Sequence, residues 1–140
     1  MEFVSFDLAK KLKEKGLSCK YPLAMYNERG SFCPLFTSAD RNPNIKSVFG
    51  NREYYDYDDF DENDFIAPTI SQVLKWLREK HATHIEISLG GNGWYFEIIQ
   101  YEYNEEEKEY YCKLITISVI NDSYEQAAIA GIEYVLDNLI

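Results

Sequence analysis

Cysteine and proline are scarce, at three and four in 140 residues. Cys19, Cys33 and Cys112 are odd in number and show no CxxC spacing, so neither a disulfide framework nor a zinc knuckle is expected, and a reducing cytoplasmic setting is. Basic charge is also short: 14 Lys and Arg face 24 Asp and Glu, a net −10. Faces that track phosphates are rich in Lys and Arg, so direct nucleic-acid binding is disfavoured. No apolar run approaches the ~20 residues of a membrane-spanning helix. Glu2 and Asp7 stand where a secretory signal would carry Lys or Arg, which predicts no export and no membrane. No stretch matches a cofactor motif.

What is present is 46% hydrophobic and 16% aromatic residues, enough for one globular domain over 1–140 with a long irregular acidic segment at about 37–65. Residues 5 to 16 read as a helix with Ser5 as N-cap, Gly16 as closing residue and an apolar stripe of Leu8, Ala9 and Leu12. A β-hairpin follows, 23–26 and 31–36 around Asn27–Gly30, and Pro34 confines its second strand to an edge. Asn42-Pro43-Asn44 and Gly50-Asn51 are turn signals in the irregular stretch from Thr37 to Phe65. Thr69 and Gln72 form a capping box for a helix over Ile70 to Lys80, with Ile70, Val73, Leu74 and Leu77 on one face and Trp76 on the flank.

The period then changes to two. Ile85, Ile87 and Leu89 alternate with polar residues, Gly90-Gly91-Asn92-Gly93 turns the chain, and strands over Trp94–Tyr103 and Glu109–Ile120 complete a meander. Ile115, Ile117 and Val119 are expected on its covered face, as are Trp94, Phe96 and Ile98. Ser123 and Gln126 form a second capping box, opening a last helix to about Asn138 with Ile132, Val135 and Leu136 inward. The predicted class is α+β: an antiparallel β-meander plus an N-terminal hairpin, packed by three amphipathic helices as a two-layer sandwich.

Phe3-Val4-Ser5, Ala67-Pro68-Thr69 with Gln72, Trp76–Lys80 and Ser123–Ala127 with the closing helix resemble a family of small uncharacterised proteins from phages and mobile elements of Bacteroides-type bacteria. The resemblance covers the three helices, leaves residues 37 to 64 peculiar to this chain, and implies a bacterial or phage accessory protein. It carries over no catalytic or binding residue.

The acidity is concentrated in two blocks, residues 53–64 and 97–109, both laced with tyrosines. Tyr54, Tyr55, Asp56, Tyr57, Asp58, Asp59 and Asp61 in the first, with Glu105, Glu106 and Glu107 in the second, are the candidate binding residues for a basic partner protein. The same pattern also describes a solvated loop and turn whose tyrosines fold back on the core. An EF-hand is excluded, because neither Asp56 nor Asp59 as first ligand supplies Gly at position six or Glu at twelve. The Gly90–Gly93 run lacks the Lys-Ser/Thr of a P-loop. The reading is a non-enzymatic interaction module suited to a basic, nucleic-acid-binding host protein. The alternative is a small metal-dependent or cysteine-dependent hydrolase using His81 and His84, with Cys33 as nucleophile or a cysteine as co-ligand.

Overall fold

The computed structural model describes residues 2–19, 22–34, 62–117 and 120–140. Along the chain run α1 (Phe6–Glu14), β1 (Ala24–Tyr26), β2 (Phe32–Pro34), β3 (Phe65–Ile66), α2 (Ile70–His81), β4 (Thr83–Gly90), β5 (Gly93–Asn104), β6 (Glu109–Ile117) and α3 (Tyr124–Asn138). Two antiparallel three-stranded sheets, in the orders β2-β1-β3 and β4-β5-β6, stand with the helices among the described residues, so the fold class is α+β. The chain divides into two compact units, Phe3–Pro68 and Met1–Glu2 with Thr69–Ile140.

In the first unit Ser5 caps α1 by accepting from the Leu8 amide at 3.2 Å, and Gly16 follows the helix at φ 85, the conformation a helix terminus demands and only glycine adopts cheaply. Leu8, Ala9 and Leu12 are buried, and α1 packs on β3. The β1–β2 turn is held by Asn27, whose Oδ1 accepts from the Arg29 and Ser31 amides at 2.9 Å each. Because β2 lies at a sheet edge, Pro34 removes no ladder bond the sheet needs. β3 was not expected: Phe65 ends the stretch read as irregular, and two residues are too few to show a period. β3 is defined instead by its partner, with Met25 opposite Ile66 and Tyr26 opposite Phe65. Edge-to-face aromatic contacts tie the elements together, Phe6 to Phe65 at 5.4 Å and Tyr26 to Phe32 at 5.6 Å.

In the second unit the Thr69 capping box is complete: its Oγ1 accepts from the Gln72 amide at 3.1 Å, and the Gln72 Oε1 accepts from the Thr69 amide at 2.9 Å. α2 ends on Ala82, which takes the left-handed conformation without being glycine (φ 48, ψ 38). β4 and β5 join through a two-residue turn, with Gly90 opposite Gly93. α3 packs on β4 and β5. A Cβ on Gly131 would lie 2.9 Å from Ile85 Cγ2 and 3.2 Å from Phe96 Cγ, so the missing side chain is what lets helix and sheet approach.

Leu8 and Leu12 are buried in the first unit; Ile70, Val73, Leu74, Leu77, Ile85, Ile132, Val135 and Leu136 are buried in the second. Trp76, expected on the flank of α2, is buried as well. The expectation fails at the turn end of β4, where Leu89 is exposed, and on β6, where Val119 lies outside the described residues. Ile117 is 55% exposed and Ile115 only half-buried. A bulge is the cause: Ile98 opposes Thr116 but Ile99 opposes Leu114, leaving Ile115 without a partner residue and reversing the alternation beyond it. Ile117 therefore pairs with Glu97, on the face away from Phe96 and Ile98.

Candidate functional site

Of the candidate binding residues, Tyr54, Tyr55, Asp56, Tyr57, Asp58, Asp59 and Asp61 lie outside the described residues. Glu105, Glu106 and Glu107 form the β5–β6 turn and are all exposed. The turn is built by Asn104, whose Oδ1 accepts from the Glu106 amide at 2.9 Å and the Glu107 amide at 3.1 Å, a side-chain mimic of a backbone turn. Lys108 closes it at φ 54. Three consecutive carboxylates are thus carried on a short, backbone-anchored tip.

Aromatic rings flank that tip. Tyr103 and Tyr110 are cross-strand partners with centroids 4.9 Å apart, and Tyr101 stands 6.1 Å from Tyr110. The Tyr111 hydroxyl donates to the Glu107 carboxylate, and the Tyr101 hydroxyl to the Arg78 carbonyl. Tyr103, Tyr110 and Tyr111 nevertheless remain exposed, with Leu114 and Ile117 further along β6. These three tyrosines of the second block therefore do not fold back on the core, whereas Tyr101 is half-buried with its hydroxyl on the α2 backbone. Ile117 is exposed because of the bulge, which cannot be read from alternation, whereas Leu114 pairs with Ile99 on the outward face that the same alternation assigns it.

The histidines have other occupations. His81 sets its ring against Trp76 at 4.6 Å between centroids, and His84 Nε2 shares a 2.8 Å hydrogen bond with Glu86 Oε2. Cys33 is buried beside Met25, whereas Cys112 is exposed on β6. Among the described residues no three of His, Cys, Asp and Glu gather in a way that could hold a metal ion. In the first unit a polar cleft of about 290 Å³ opens between Asn27, Glu28, Arg29, Asn63 and Asp64. One wall is fixed by Lys13, whose ammonium donates to the carbonyls of Glu62 and, at 2.8 Å, Asp64. Among the described residues no helix is long and apolar enough to cross a membrane.

No protein-family model matches the chain, and neither do any curated proteins or solved structures.

Proposed function

We propose that the protein is a non-enzymatic interaction module of a phage or mobile element that uses the β5–β6 hairpin end to engage a basic partner protein. The observation that supports this most is the combination at one tip: Glu105, Glu106 and Glu107 exposed, beside the exposed rings of Tyr103, Tyr110 and Tyr111. Carboxylates attract a cationic surface at long range, and rigid amphipathic rings supply contact area at low entropic cost once it arrives.

The test is capture from a bacterial lysate on the full chain, at low and at high salt, beside a Glu105→Gln, Glu106→Gln, Glu107→Gln variant. A basic protein retained at low salt, released at high salt and lost from the variant supports the reading. Retention that ignores both salt and the triple substitution overturns it. The hydrolase reading draws no support from the histidines, since His81 stacks its ring edge against Trp76 and His84 pairs with Glu86, and no cysteine stands with either among these contacts.

A further inference from the structure

We propose that β6 pairs antiparallel with β6 of a second copy of this chain, extending the β4-β5-β6 sheet into a six-stranded sheet across a two-fold axis at Tyr111. This goes beyond the acidic-tip reading and does not rest on it.

The direction of the free hydrogen-bonding groups follows from two bonds. In an antiparallel ladder the N–H and C=O of a residue point to the same side and successive residues alternate. The Tyr101 amide donates to Ala82, ahead of β4, while the Trp94 amide donates to Asn121, beyond β6. Even-numbered residues of β5 therefore point to β6, where Gln100, Glu102 and Asn104 oppose Lys113, Tyr111 and Glu109. It follows that Tyr110, Cys112 and Leu114 aim their backbone groups outward, and no strand among the described residues pairs with that edge.

Edges of this kind recruit strands unless something blocks them. From Glu109 to Leu114 the strand has no Pro or Gly, carries Tyr-Tyr-Cys in succession and is exposed throughout. Its one Glu and one Lys cancel, leaving the neutral, strand-prone composition that favours pairing. The bulge at Ile115 ends the regular edge, so the pairing window is Glu109–Lys113 and its centre is Tyr111.

Charge selects the occupant and the register. About Tyr111, Glu109 of each copy falls opposite Lys113 of the other, in the closely spaced non-hydrogen-bonded pairs, while Tyr110 and Cys112 exchange backbone bonds across the axis. A register centred on Cys112 would oppose Tyr111 to Lys113 and forgo both ion pairs. Antiparallel pairing also separates the acidic tips. Glu106 of one copy lies ten residues from that of the other, roughly 33 Å at strand rise, beyond the ~10 Å screening length of 0.1 M salt. A parallel arrangement would superpose them.

Sedimentation equilibrium of the full chain under reducing conditions tests this between about 10 µM and about 1 mM. The expected result is a mass rising with concentration from 16.4 kDa toward twice that value. Lys113→Glu sets acid against acid at both sites and should raise the dimer dissociation constant by about tenfold or more, as should Glu109→Lys. Combining the two restores complementarity and should restore the dimer. Cys112→Pro, which removes an outward amide and none of the bonds to β5, should give a folded monomer by circular dichroism. A wild-type chain monomeric across the whole range, dimerisation indifferent to the single reversals, or failure of the double swap to rescue it, each overturns the proposal, including where the monomer binds an unrelated strand-forming peptide.

Discussion

Tyr26 carries two roles on one hydroxyl. It donates to the Val4 carbonyl at 2.6 Å, and burial pushes its pKa above the ordinary 10.0. A phenol harder to ionise folded than unfolded adds stability that is fully present below about pH 10 and is lost as pH rises through the elevated value. Urea midpoints measured from about pH 8 to about pH 12 should therefore fall on the alkaline side, and Tyr26→Phe should flatten that decline while costing about 0.5–1.5 kcal/mol at neutral pH for the unsatisfied carbonyl. At Gly131 two effects oppose. Alanine gains about 1 kcal/mol of helix propensity, but its methyl meets a β-branched Ile85 and the Phe96 ring, both buried and unable to swing away. Overpacking costs about 1–3 kcal/mol, so Gly131→Ala should lower stability by up to about 2 kcal/mol in chemical denaturation.

Among the elements, α2 and α3 show how much a local signature determines. Thr69 and Gln72 satisfy each other's amides, whereas Ser123 accepts from the Gln126 amide at 3.1 Å while the Gln126 side chain reaches the Asp122 amide at 3.2 Å instead. Both helix starts were legible from a four-residue pattern, since an orphan amide takes the nearest acceptor. Thr69→Ala should cost about 0.5–2 kcal/mol, with Ser123→Ala toward the lower end because Ser123 is less buried than Thr69. Melting curves of the two variants decide it. Leu77, fully buried on α2, should lose about 2–5 kcal/mol on truncation to alanine. The strands were less legible. On β4 and β5 the alternation holds at Ile85, Phe96 and Ile98 but fades toward the Gly90–Gly93 turn, where Leu89 is exposed and Trp94 half-buried, while β6 looks the same in sequence and yet turns Ile117 to solvent. One inserted residue opposite β5 suffices, and nothing in the side chains of Leu114 to Ile117 announces it.

For the whole molecule, a net charge of −10 sets how partners approach more than how the chain folds. If the two acidic blocks act together on a basic partner, Asp56→Asn, Asp58→Asn, Asp59→Asn and Asp61→Asn combined should slow association and weaken its salt dependence without lowering the melting temperature, because like charges crowded within six residues repel one another and contribute little to stability. Tyr55→Ala or Tyr57→Ala should instead speed dissociation, as loss of an anchor does. Stopped-flow association and dissociation rates at graded salt separate the two effects.

Composition, helix caps and periodicity by themselves determined the α+β class, three helices, the hairpin around Asn27–Gly30 and the meander, because each depends on residues within a few positions of one another. Tertiary structure alone decided that β3 exists, that α1 packs on it, that Trp76 is buried and that the outer strand of the meander shows its apolar residues to solvent. Those outcomes depend on which distant strand supplies the partner and on the register it adopts, and a change of one residue in register moves a side chain from one face of a sheet to the other.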